Sequence, residues 1–285
     1  MKTSTVLGSG RTALVTGASR GIGPLIAREI AREGSHVVLT GRSETELRAV
    51  AYDLRDNGAD ASFIPIDLTE PGAPEALVET VERVRGGVDL LVNNAGGDPQ
   101  RAFNHMTVSE NLKILELNLV APLALTHAVL EGMLQRGRGH IVNISALAGR
   151  VAFPYSEAYA AAKDGLIGFT RVLRNDYRAR GVSASVLILG PVNGAGQGQR
   201  TADDLDLKLP RFATVSATAV AKAVVDVIKR DRVELVVMPG PGRLLKAAMD
   251  YFPGLGPAIN RISGSTATMR KVITYREGQR HGVAS

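Results

Sequence analysis

Between an apolar run, Thr12–Thr16, and a stretch at residues 24–33 stands Thr16-Gly17-Ala18-Ser19-Arg20-Gly21-Ile22-Gly23. In that stretch Leu25, Ile26, Ile30 and Ala31 recur at helical spacing. Pro24 falls where a first helical turn accepts it, because that N–H has no partner there. Three glycines in any loop are a weak signal, but at the first strand-to-helix turn they are a strong one. Gly17 allows a tight turn, Gly21 lets a pyrophosphate approach the backbone, and Gly23 lets helix and strand pack closely. The helix start adds unpaired N–H groups and a positive dipole end. Ser19, Arg20 and Ile22 complete this candidate phosphate-binding turn.

The same rhythm continues along the chain. Strand-like runs follow at 36–40, 61–66, 88–92, 140–144, 183–189 and 233–238. Helical patterns fall between them, at 75–84, 108–135, 157–180 and 217–229. A further helix opens on Ser43-Glu44-Thr45-Glu46, read as a capping box, and closes at Gly58. Continuous apolar strands such as Val37-Val38-Leu39 are expected where helices cover both faces. The pattern predicts an α/β fold of Rossmann type, a doubly wound parallel sheet of about seven strands. One domain is expected over residues 8–240, with a C-terminal helical extension over 241–285.

Composition narrows the chemistry. The chain has no Cys among its 285 residues, which excludes thiol nucleophiles, Cys-ligated zinc and Fe–S clusters. Its five His are too scattered to suggest a metal site. Lys and Arg number 34 against 28 acidic residues, a formal +6 with no basic stripe interleaved with aromatics, so no nucleic-acid partner is expected. No secretory signal and no apolar run near the ~20 residues of a bilayer span are read. A cytoplasmic location without membrane contact is the expectation.

The second strand should end over an adenosine ribose, where an acidic residue would favour a free 2′-hydroxyl. The chain has Thr40-Gly41-Arg42-Ser43 instead, with Arg20 in the glycine turn. Two guanidiniums favour a 2′-phosphate, hence NADP(H). Asp67, with Leu68 beside it, closes the third strand where the adenine edge would lie.

The glycine turn, Asn93-Asn94-Ala95-Gly96 after the fourth strand, and Tyr159-Ala160-Ala161-Ala162-Lys163 on a helix together resemble the short-chain dehydrogenase/reductase family. The match covers roughly residues 10–240. The resemblance implies that Asn94, Ala95 and Gly96 flank the cofactor and that Asn118 holds a proton-relay water. Tyr159 and Lys163, four apart, share one helix face. An ammonium near the phenol stabilises phenolate and lowers the tyrosine from its ordinary value of about 10. Such a tyrosine protonates an alkoxide as hydride arrives, or deprotonates an alcohol in reverse. Lys163 is also expected at the nicotinamide ribose.

Two departures stand out. The family places a serine thirteen residues before the tyrosine, and that position is Ala146. Ser145, one place off, should face away on a strand unless a bulge turns it inward. Another donor (Tyr155, Ser156 or Asn193), an engineered serine-to-alanine change, or a natural low-activity binder all remain open. After the sixth strand, Gly190 and Val192 fit the family's nicotinamide loop, but Leu189 and Gly194 replace its usual proline and threonine. Gly194-Ala195-Gly196-Gln197-Gly198 reads as a lid.

The extension carries Leu244, Leu245, Ala247, Ala248, Tyr251 and Phe252 at helical spacing, then Leu255, Ile259 and Ile262. It can line a pocket for a hydrophobic ketone or alcohol, pack on a partner subunit, or lie on a membrane. The expected function is NADP(H)-dependent hydride transfer to or from a carbonyl or secondary alcohol. Tyr159, Lys163 and Asn118 are its catalytic residues, and the assembly expected is a homodimer or homotetramer. The alternative is a dinucleotide-binding sensor or scaffold with little turnover.

Overall fold

The computed structural model describes residues 6–194, 214–262 and 264–281. Seven strands form one parallel sheet: β1 (Thr12–Thr16), β2 (His36–Gly41), β3 (Ala61–Pro65), β4 (Leu90–Asn93), β5 (Gly139–Ala146), β6 (Val182–Leu189) and β9 (Glu234–Val237). Their order is β3-β2-β1-β4-β5-β6-β9. The order reverses between β1 and β4, so a crevice opens there at the strands' carboxyl ends. Two short strands outside the sheet, β7 (Val192–Asn193) and β8 (Val215–Ser216), pair with each other, which the sequence pattern did not signal.

Helices cover both faces, and the strands show why. Ala13, Val15, Val37 and Leu39 point into one core cluster. That cluster is shared with α1 (Gly23–Arg32), α2 (Glu44–Asp56) and α7 (Ala217–Lys229). The intervening Leu14 and Val38 point into a second cluster, with α3 (Ala73–Arg85) and α5 (Ala121–Gln135). A period of two with both sets apolar is what a sheet buried on both sides requires.

Several boundaries move. The helix expected at 108–135 is divided into α4 (Val108–Leu115), a π-turn (Glu116–Val120) and α5. Taken as one run, Val108–Gln135 is long and apolar enough by length and composition to cross a bilayer, contrary to the expectation of no such segment. Its apolar residues Leu125, Val129 and Met133 are spent on the core beneath the sheet. At α2 only half of the expected capping box forms, with Ser43 accepting from the Glu46 N–H. A complete box caps α4 instead, between Thr107 and Glu110.

The next long helix is α6 (Glu157–Tyr177). The C-terminal region forms α8 (Gly242–Tyr251), α9 (Leu255–Ile262) and α10 (Ser265–His281). Met249, Leu245, Leu255 and Ile259 pack with Leu147, Val151 and Ile188 in a third cluster. Lys246 bridges Asp250 at 2.7 Å and Glu234 of β9 at 3.3 Å. Asn260 donates to the Ala152 carbonyl at 2.9 Å. The extension is therefore fastened to β9 and to the loop that follows β5.

Candidate active site

The β1–α1 turn has the shape that its glycines require. Gly17 and Gly21 take φ of 63° and 69°. A Cβ on Gly23 would stand 2.1 Å from the Gly17 carbonyl oxygen, so no larger residue lets α1 start this close to β1. Ile22 occupies the N-cap without a side-chain cap bond. No side chain closes that helix end, and the turn fits a pyrophosphate against free backbone N–H groups.

Thr16 ties this turn to the strand beside it, a role that no motif announced. Its hydroxyl accepts from the N–H groups of Asn94 and Ala95, each at 2.9 Å, and donates to the Val92 carbonyl. The Asn94 amide donates to the Thr16 and Gly17 carbonyls at 2.9 and 3.1 Å. Asn94 thus braces the glycine turn. Arg20 in the glycine turn is exposed, and Arg42, just after β2, lies 3.9 Å from Asp67. Asp67 also accepts from the backbone and hydroxyl of Thr69, while Leu68 is buried with Val38 and Leu77. Ser43 is engaged as the α2 cap.

Tyr159 and Lys163 occupy successive turns of α6. The Lys163 ammonium lies 5.5 Å from the Tyr159 ring centre and donates to the Ile144 carbonyl of β5 at 3.1 Å. Gly96 completes the cluster. A Cβ there would stand 2.6 Å from Asn118 Oδ1 and 3.2 Å from Lys163 Nζ, so only glycine lets the β4 loop pass between them. Asn118 is fully buried on the π-turn, a distortion common at functional sites. Its Nδ2 donates to the Gly97 and Ile114 carbonyls, and its Oδ1 accepts from the Gly97 N–H. The side chain fixes the loop after β4 beside Lys163.

The electrostatics differ from the sequence expectation. Burial first, and the Asp98 charge second, push the Tyr159 phenol above its ordinary range. Burial pulls Lys163 down to about 8. Asp98 carries no motif signal. It is buried, accepts from the Ser156 hydroxyl at 2.5 Å, and receives the Gln100 N–H at 3.0 Å. Burial, with the Asp98 charge adding to it, therefore opposes ionisation of the phenol in the protein alone.

No bulge turns Ser145 inward. β5 keeps its register with β6 through Ser145↔Ile188 and Ala146↔Leu189. Ser145 is buried and donates to the Lys163 carbonyl, whereas Ala146 is partly exposed on the other face. Of the substitute donors considered, Ser156 is committed to Asp98. Asn193 pairs with Ser216 in the small sheet, and Tyr155 holds a φ of 59° in the loop before α6. Gly190 packs against Met238, Val192 pairs with Val215, and the lid residues 195–198 lie outside the described residues.

A Rossmann-type sheet with an open phosphate turn and a Tyr–Lys pair at its crevice defines a dinucleotide-dependent oxidoreductase architecture. The short chain dehydrogenase family model matches residues 11–205, and the chain belongs to that family. Ketoacyl reductase HetN of Nostoc is 36% identical over 234 residues, covering 82% of this chain and 80% of that protein. The 3-oxoacyl-acyl-carrier-protein reductase FabG of Vibrio cholerae is 38% identical over 181 residues, 64% of this chain and 73% of its own. A metagenomic short-chain oxidoreductase in complex with NADP superposes with a TM-score of 0.70 at 32% identity, covering 83% of this chain and 100% of that one. An actinorhodin polyketide ketoreductase variant with NADPH gives 0.73 at 30% identity, covering 83% and 99%.

Proposed function

We propose that this chain is an NADP(H)-dependent ketoreductase acting on a hydrophobic carbonyl compound. The observation that carries the reading is the cluster of Tyr159, Lys163, Gly96 and Asn118 between the loop after β4 and the end of β5. Relatives named as ketoacyl and polyketide reductases, and neighbours holding NADP or NADPH, support it.

When bound, the reduced nicotinamide supplies hydride to the carbonyl carbon. Tyr159 donates its phenolic proton to the oxygen as the C=O bond is reduced to an alcohol. Burial and Asp98 hold that phenol protonated, the state that carbonyl reduction consumes. Lys163, fixed by the Ile144 carbonyl, presents a cation beside the phenol as its proton leaves. Asn118 keeps the Gly96-Gly97 backbone beside that cation. The glycine turn would hold the pyrophosphate, Arg20 and Arg42 the 2′-phosphate, and Asp67 the adenine edge.

The substrate oxygen has no serine hydroxyl at position 146, so turnover is slow relative to members that carry one. A dinucleotide-binding protein with little turnover is the second reading. It is favoured by Ser145 and Ser156 being committed elsewhere. Domain 8–240 carries the chemistry, and the 241–285 extension supports the β5–α6 loop. Val108, Leu112 and Val172, exposed on α4 and α6, suit a homo-oligomeric contact, and the site suits a cytoplasmic pool of cofactor.

Titrating the protein with NADPH and then screening apolar ketones for loss of nicotinamide absorbance tests the reading. Turnover abolished by Tyr159→Phe is the expected result. Tight NADPH binding with no turnover, unrescued by Ala146→Ser, would establish the binding-protein reading instead.

A further inference from the structure

The extension spends only one side of α8 on the protein. Leu245 and Met249 point inward to the third core cluster, and Lys246 to its two carboxylates. The opposite arc is also apolar. Leu244 and Tyr251, seven residues apart and so on one face, are 73% and 80% exposed. Ala247 is exposed between them. Phe252, 61% exposed, packs edge-on against Tyr251 with ring centres 4.9 Å apart. At the end of α9, Ile262 is 88% exposed. A helix apolar on two faces needs two apolar environments, and the sheet supplies only one.

Charge identifies the second environment. Residues 241–285 hold seven Arg and Lys against two acidic residues, so five of the chain's six net positive charges lie in this segment. Arg261 is exposed beside Ile262. On α10, Arg270 and Lys271 line a shallow groove with Ala267, Thr274 and Tyr275. An apolar crest with aromatic residues and flanking cations is what an interfacial helix presents to anionic headgroups. A second copy meeting the same face across a two-fold axis would set two such cationic segments against each other, which costs energy.

We infer that the outward face of α8–α10 is a docking surface for an anionic lipid bilayer, with Leu244, Tyr251, Phe252 and Ile262 entering the interface. The sequence left a pocket lining, a subunit contact and a membrane surface open for this segment, and the exposure of these residues on a fastened helix favours the last. The inward face of the same helices braces the loop between β5 and α6, so docking would place the crevice near a source of apolar compounds.

Flotation of the full-length protein with phosphatidylcholine vesicles, with and without added phosphatidylglycerol, tests this without any turnover measurement. Binding to the anionic vesicles that weakens steeply with salt is expected. Tyr251→Ser with Phe252→Ser removes the crest, and Arg270→Glu with Lys271→Glu reverses local charge. Each pair is expected to lower bound protein on the order of ten-fold or more while NADPH binding persists. Absence of flotation with anionic vesicles at low salt overturns the inference, as does undiminished flotation of both variants. So does a crest variant that converts a larger oligomer to a smaller one in vesicle-free light scattering, which would assign the face to contact between copies.

Discussion

Ser145 and Lys163 are joined by a 2.7 Å hydrogen bond in which the serine hydroxyl donates to the lysine's main-chain carbonyl. The bond holds β5 to α6 at the turn bearing the Tyr159–Lys163 pair, and it commits the strand's last hydroxyl to structure. In the proposed reaction Ala146, on the alternate face, would leave the substrate oxygen without that donor. Ala146→Ser should therefore raise kcat for ketone reduction by roughly 10²- to 10³-fold, taking one oxyanion donor as the guide. Ser145→Ala should instead lower folding stability by about 0.5–1.5 kcal/mol, because one buried bond between β5 and α6 is lost while the Lys163 carbonyl keeps its helical partner. Steady-state kinetics and denaturant melts read the two separately. A 146 variant no faster than the parent would mean another group already fills the role.

Asp98 sets the second expectation. Burial is the larger influence on the Tyr159 phenol, and the Asp98 charge adds to it. Asp98→Asn removes the charge and keeps an acceptor for the Ser156 hydroxyl. Alcohol oxidation needs phenolate, so its pH profile should turn on at lower pH in the variant. Reduction should lose its proton donor at correspondingly lower pH. Profiles that superimpose on the parent's would remove Asp98 from any influence on the tyrosine.

What the sequence made legible was whatever follows from periodicity and spacing. The alternation of apolar runs and amphipathic stretches yields the order of elements, and Ala217–Lys229 falls where the spacing predicts. The register from Tyr159 back to Ala146 survives because β5 has no bulge. Contacts between distant residues were not legible. Nothing local marks Thr16 as the acceptor of two N–H groups from the β4 loop, or Asp98 as a neighbour of Tyr159. The π-turn at Asn118 adds one residue to a helical turn and hides within an apolar run that reads as continuous helix.

In the proposed reading Arg20 and Arg42 carry the cofactor preference. Both are exposed, so each would act on a 2′-phosphate through water-screened but charge-assisted contacts. Arg20→Ala with Arg42→Ala should weaken NADPH binding by on the order of 10- to 10²-fold and leave NADH nearly unchanged. Fluorescence titration with both cofactors measures the ratio. Equal loss for the two would mean that the arginines serve the glycine turn and not the 2′ position.

Lys163 ties catalysis to stability. Burial lowers its ammonium to about 8, against 10.5 as the ordinary value. Between these values the unfolded chain holds more protons than the folded one, so stability rises with pH across that window and is lowest below it. Keeping this charge buried at pH 7 costs up to about 3 kcal/mol of folding free energy in the cofactor-free protein. Lys163→Met replaces the ammonium by an apolar chain of similar length, at the loss of one bond to the Ile144 carbonyl. It should abolish ketone reduction, raise the melting temperature at pH 7, and flatten the rise in stability between pH 8 and 10.5. In the parent, reduction should decline as pH passes about 8, where the cation beside Tyr159 is lost. Thermal melts of both proteins across pH 7 to 11, without cofactor, decide the matter. A methionine variant that melts lower than the parent at every pH would show that the Nζ–carbonyl bond outweighs the cost of burying the charge.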